Sequence, residues 1–268
     1  GAQYYRHAGL CLFNALEILN AVTSNRFSSL YGEPKIQNMA SYILNVHVED
    51  KYYVNYADCS PIAGRAGVRE FLFARRTGNE AMAAFAAADF VAGLPATLLL
   101  PEENNLYYRL QNGCTAATIR DFFHSFIKTI SHPYIYYPST GIFIARDDTL
   151  YLAAKAGDNA DSHNHNDTGS FTVYKKGQPM LIDVGVESYT KKTFSPQRYE
   201  IWTMQSAYHN LPTVNGCMQS DGEHYRAQDV SWQFSDDICD IAMDIAPSFP
   251  TEAGLLYYKR NALLIKHK

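Results

Sequence analysis

His163 and His165 stand two residues apart in the polar run Ser162-His163-Asn164-His165-Asn166-Asp167. In an extended backbone that spacing projects both rings to one side of the chain. A carboxylate, Asp183, follows at the end of the next predicted hairpin, and a third imidazole arrives in Gln205-Ser206-Ala207-Tyr208-His209-Asn210. Two imidazoles and a carboxylate suit zinc, which takes nitrogen and oxygen ligands at about 2.0–2.2 Å in a tetrahedral arrangement. Other divalent metals accept similar donors, and a His-x-His pair also occurs on surfaces or in hydrogen-bonded turns, so spacing leaves those alternatives open. A hydrolytic zinc keeps one position for water, whereas a structural zinc is closed by protein atoms. Asn164, Asn166 and Asp167 read as turn organisers, because their side chains bond nearby backbone.

The composition limits what such a site can serve. At 268 residues, 47% hydrophobic and 19% charged, the sequence is globular, with room for one large domain or two ordinary ones. A net charge of -4 gives no general attraction to polyanions. Nucleic acid is therefore excluded as a partner, and an acidic polysaccharide would need a local basic cleft, with Arg6, His7, Lys191, Lys192 and Arg198 as candidates. The 20 tyrosines would suit sugar stacking, although most tyrosines simply straddle core and solvent. Five scattered cysteines without a Cys-x-x-Cys pair argue for buried free thiols. No apolar run reaches the roughly 20 residues of a membrane-spanning helix, so no membrane insertion is expected.

The elements that must position these groups change character midway. Residues 4–22 and 36–44 carry apolar positions at helical spacing, with Ala8, Cys11, Leu12, Ala15, Leu16, Ile18, Leu19 and Val22 forming the first stripe. A tyrosine-rich connector covers 51–61, and further helices are predicted over 67–76, 80–92 and 116–130. After Pro133 the chain turns to short β-branched and aromatic runs at 141–145, 150–154, 170–174, 180–184, 230–234, 238–245 and 255–265. Lys175-Lys176-Gly177-Gln178 predicts a hairpin turn. The boundary is expected near 130–135, and both ends look cut from something longer.

Taken together, residues 162–171, the run Gly177-Gln178-Pro179-Met180-Leu181-Ile182-Asp183-Val184-Gly185, Arg198-Tyr199, His209-Asn210, Val214-Asn215-Gly216 and Tyr258-Lys259-Arg260 resemble the signature of heparinase II/III-like polysaccharide lyases. Residues 1–5 are similar, more loosely, to the Glu-Gly-x-x-Tyr segment of that family's helical toroid. The resemblance implies an α+β multidomain fold: partial (α/α) toroid helices over 1–132, N-terminally truncated, followed by an antiparallel β-sandwich over 133–268, C-terminally truncated. It implies β-eliminative cleavage of a uronic-acid polysaccharide of heparin, heparan sulfate or alginate type, in the periplasm or outside the cell. His165, Asp183 and His209 take the positions of zinc ligands in a chiefly structural site. His163, Tyr4 and Tyr199 take catalytic positions, Tyr189 competing with Tyr199, while Tyr5, Tyr189 and Arg198 fall where substrate binds. Such a lyase removes the C5 proton of a uronate whose carboxylate is neutralised by donors such as His163 or Arg198. A tyrosine, with a reference pKa of about 10, can act as base when positive charge lowers it, then return the proton to the leaving oxygen. The family also draws an asparagine or histidine pair from helices preceding the Tyr4 segment, and no counterpart stands in this sequence. The alternatives are a zinc-dependent hydrolase and a non-catalytic carbohydrate-binding module.

Overall fold

The computed structural model describes residues 1–94, 105–125 and 134–266. The chain divides into two compact units, one holding Gly1, Val48–Ile62 and His132–Lys268, the other Ala2–His47 and Ala63–Ser131. The expected boundary at 132/133 lies outside the described residues. No helix among the described residues is long and apolar enough to cross a membrane.

The helical unit contains α1 (Tyr5–Val22), α2 (Pro34–Val46), α3 (Val68–Thr77), α4 (Glu80–Ala92) and α5 (Leu106–Ser125). Pro34 opens α2, where the missing N–H costs nothing. Gly78, left-handed at φ 67, ends α3, and Asn79 then caps α4 by accepting from the Met82 amide at 3.0 Å. Two expectations needed correction. The buried face of α1 is Gly9, Leu10, Phe13, Leu16 and Asn20, while Ile18 and Val22 are exposed; the sequence has apolar residues on more than one side of this helix, and periodicity alone chose the wrong face. The last helix begins at Leu106 rather than 116, because Asn105 caps it through the Tyr107 amide and Asn112-Gly113 is helix interior, not a break.

In the other unit, two antiparallel sheets supply the core. A five-stranded sheet runs in the order β3-β4-β5-β7-β8, from β3 (Tyr134–Tyr137), β4 (Ile142–Arg146), β5 (Leu150–Lys155), β7 (Phe171–Lys175) and β8 (Gln178–Leu181). A three-stranded sheet is formed by β10 (Gln228–Phe234), β11 (Ile238–Asp244) and β12 (Lys259–Ile265). Alternate residues of both sheets, Phe143 and Ala145, Leu152 and Ala154, Cys239, Ile241 and Met243, join one buried cluster. In β11 buried and half-buried residues alternate, as in a sheet with one covered face, whereas β4 and β5 are buried on both faces. The hairpin joining β7 to β8 has Lys176 at φ 50 and Gly177 at φ 71, the pair of positive angles a type I′ turn requires. Short ribbons pair β1 (His47–Glu49) with β2 (Tyr52–Tyr53) and β6 (Asp158–Asn159) with β9 (Gly222–Arg226). All five cysteines are free; Cys59 and Cys239 are buried as expected, whereas Cys11 and Cys114 are exposed.

Candidate functional site

The segment between α2 and α3 does more than connect. Tyr56 is buried and donates its hydroxyl to the Ala153 carbonyl at 2.9 Å, which fixes the segment against β5. Ala57 (φ 63) and His163 (φ 61) are both left-handed without being glycine, a costly conformation that surrounding contacts must hold. The Asp58 amide donates to the His163 carbonyl at 3.2 Å, locking the two loops backbone to backbone.

Asp58, fully buried, is the centre of this arrangement. Its Oδ1 lies 3.0 Å from His165 Nε2 and accepts from Arg198 at 2.7 Å; its Oδ2 lies 3.0 Å from His163 Nδ1 and accepts from the Tyr189 hydroxyl at 3.2 Å. Burial pushes the Asp58 carboxyl up, but hydrogen bonds from His165 and Arg198, the Arg198 charge and the His163 bond outweigh it and hold the group well below the usual carboxylate range. His163 and His165 therefore meet, but not through strand alternation: the stretch is a tight turn in which each ring finds a different oxygen of one acid.

On the far side of His165, Asp183 and His209 complete a buried trio whose ligand atoms all lie within 4.8 Å of one another. The donors fit a metal ion. His209 Nε2 faces the Thr203 carbonyl at 3.1 Å, so that nitrogen carries the hydrogen, and Nδ1, 2.7 Å from Asp183 Oδ2, is the atom that could ligate an ion. His165 Nε2 faces a carboxylate in the same way, and its buried Nδ1 has no hydrogen-bond partner. Both rings thus show the arrangement of metal-bound histidine, one nitrogen toward the ion and the other N–H fixed by an oxygen. Without an ion, burial opposes both charges, yet the mutual hydrogen bond lowers Asp183 and raises His209.

The loop carrying these histidines is supported from below. Lys155, at the end of β5 and buried, pairs with Asp167 at 2.5 Å and donates to Asn164 Oδ1 at 3.1 Å. Gln219 accepts from the Thr168 amide at 3.1 Å and donates to the Thr168 carbonyl at 2.7 Å. Asn210 ties the Phe171 and Ile182 carbonyls at 2.7 and 2.9 Å, joining the start of β7 to the residue before Asp183. Gly185 (φ 72) lets the chain turn past Asp183, where a Cβ would stand 3.3 Å from Asn55 and the Cys59 carbonyl.

Other expected site residues lie apart from this cluster or serve it differently. Arg198 is committed within the protein: Nε donates to the Asn164 carbonyl at 3.0 Å, one terminal nitrogen to Asp58 and Asn164, the other to Thr193 at 3.1 Å. Tyr189 reaches Asp58 and His163, whereas the Tyr199 carbonyl accepts from the Gln205 side-chain amide at 2.9 Å. Tyr4 and Tyr5 belong to the helical unit. Tyr4 is half-buried, 6.3 Å from the His7 ring; Tyr5, expected to bind substrate, is instead a core side chain whose hydroxyl donates to the Ala40 carbonyl at 3.0 Å. Of the basic cleft candidates, Lys192 pairs with Glu200 at 2.7 Å and Arg6 lies 3.9 Å from Glu70. Asp58 itself was missed, since it is distant in sequence from everything it touches. One signal existed: it is the sole charged residue between Lys51 and Arg65.

A five-stranded sheet packed on a three-stranded one, with two histidines and an aspartate gathered beside it, defines a β-sandwich with a prospective metal centre. Residues 129–231 match the family described as heparinase II/III-like, C-terminal, the stretch that holds most of the motifs on which the resemblance rests. No curated protein matches the sequence. Among solved structures, a mutant of the heparan sulfate lyase HepC from Pedobacter heparinus is similar at TM-score 0.60 and 14% identity over 99% of this chain and 36% of that one. A heparinase III with methylated lysines gives 0.61 and 16%, over 98% and 35%; another heparinase III gives 0.59 and 11%, over 98% and 37%. At such identities the likeness shows the fold, partial toroid helices followed by an antiparallel sandwich. The chain spans little more than a third of the length of these proteins.

Proposed function

We propose that this chain is part of a polysaccharide lyase that cleaves a uronic-acid polysaccharide, of heparan sulfate or alginate type, by β-elimination outside the cytoplasm. The observation carrying this reading is the His163–Asp58–Tyr189 group, partly open to solvent, next to a buried His165–Asp183–His209 trio. A metal bound by that trio, zinc on the donor chemistry, would cross-link the loop of residues 163–167 to the strand end at Asp183 and to His209. Its donors are buried and their second nitrogens are held by Asp58 and Thr203, which favours the structural reading over a hydrolytic centre needing open access for water.

In this reading His163 acts as the imidazolium, its Nδ1–H held by Asp58 and its Nε2–H donated to the substrate carboxylate, and stabilises the negative charge that develops as C5 is deprotonated. Tyr189, near His163 and bonded to Asp58, supplies a hydroxyl at that edge. Arg198 positions the loop rather than the sugar, since each of its nitrogens already bonds protein. Tyr4 is proposed as the proton shuttle on the family resemblance. The test uses the full-length protein that contains this chain, incubated with heparan sulfate, alginate and chondroitin sulfate. Absorbance of the conjugated 4,5-unsaturated uronate is the expected product signal. New reducing ends without that absorbance would mean hydrolysis, and binding without product would mean a carbohydrate-binding module.

A further inference from the structure

Asp58 accepts from four side chains, two on each oxygen, and is fully buried. An ionised carboxylate only accepts hydrogen bonds, so each nitrogen facing it must carry a hydrogen. This assigns the hydrogen of His165 to Nε2, leaving Nδ1 as the lone pair directed at Asp183 and His209. It equally assigns a hydrogen to His163 Nδ1. We infer that Asp58 is a positioning residue that sets both rings at once, fixing the tautomer in which His165 can take a metal and the tautomer of the solvent-edge histidine. What His163 does with that tautomer rests on the lyase reading; the shared setting does not.

The two oxygens make the consequence of Asp58→Asn specific. The guanidinium of Arg198 only donates, so the amide oxygen must stay on the side shared by Arg198 and His165. The amide NH2 then faces His163 and Tyr189. There it offers a donor where the carboxylate offered an acceptor, and His163 Nδ1 must give up its hydrogen and accept. His165 keeps its tautomer but loses a charged partner. Such outer-shell changes weaken metal binding by about 10- to 100-fold.

The experiment uses the full chain labelled with 15N-histidine, with and without one equivalent of zinc, in wild type and Asp58→Asn. In wild type, His165 is expected to carry its hydrogen on Nε2 and to bind zinc through Nδ1, while neutral His163 carries its hydrogen on Nδ1. In the variant, the His163 hydrogen moves to Nε2, and zinc affinity, measured by competition with a chelator, falls at least about tenfold. Zinc bound through His165 Nε2, no zinc bound at all, or a His163 tautomer unmoved by the substitution would each overturn the inference. Should the variant fail to fold, the wild-type spectra decide alone: a His163 hydrogen on Nε2 contradicts the role assigned to Asp58. Correct tautomers in a full-length protein that releases no unsaturated product would instead remove the lyase reading and leave the role of Asp58 standing.

Discussion

The His165–Asp183–His209 trio and the His163 edge meet at one acid, Asp58, which bonds His165 and His163, yet they are built to opposite standards. His165 and His209 have fully buried side chains and every polar direction is occupied by protein or aimed at the shared ligand point. His163 keeps 29% of its side chain exposed, and Tyr189 is 42% exposed. The closed group is shut off from solutes, whereas the open one can meet a solute. A left-handed His163 sharpens the contrast, because backbone strain persists where neighbouring contacts over-determine it, and such positions concentrate at functional sites.

The largest effect should come from breaking the closed group. Asp183→Ala leaves His209 buried without its carboxylate, and breaking such a pair costs about 3–5 kcal/mol in the metal-free protein. Urea denaturation and metal analysis should show stability and metal content lost together, as should prolonged chelation. A variant that melts like wild type while retaining its metal would remove the trio from the structural role. Next in size is Lys155→Met, which strands Asp167 beneath the loop and should cost about 3 kcal/mol by the same measurement.

At the open edge the balance reverses. His163→Gly relieves a strained backbone but frees the unfolded chain, so stability should stay within about 1 kcal/mol of wild type. Turnover by the full-length protein should fall by about 100-fold or more, as for loss of a proton-handling or charge-stabilising group. A large drop in stability with turnover intact would invert the comparison. The smallest expected effects separate the two tyrosines. Tyr189→Phe deletes a hydrogen bond to Asp58 and should cost about 1 kcal/mol, whereas Tyr199→Phe should lie within about 0.5 kcal/mol of wild type. Equal turnover losses in both would restore Tyr199 as an active-site candidate.

What the sequence revealed and concealed follows from range. Short β-branched and aromatic runs parted by turn residues are a local property, so the sandwich strands were readable; the turn at Lys176-Gly177 was too, because few residues accept two positive φ angles. His165, Asp183 and His209 were marked by their chemistry and by the family resemblance. The face of α1 was not readable, since apolar residues lie on more than one side and only tertiary packing chooses between them. Asp58 was hidden for a similar reason. Its partners lie more than 100 residues away, and nothing in a single carboxylate announces which imidazoles will find it.

The route by which Asp58 reaches its partners has an evolutionary consequence. Because residues 48–62 leave the helical part of the chain to complete the sandwich, the sandwich is not a cassette that one crossover can transplant. A gene fusion that moved only the sequence after the helices would deliver His163, His165 and Arg198 with no anion to organise them. Inheritance of a working edge thus demands that helices and strands travel as one block, even though each folds around a core of its own.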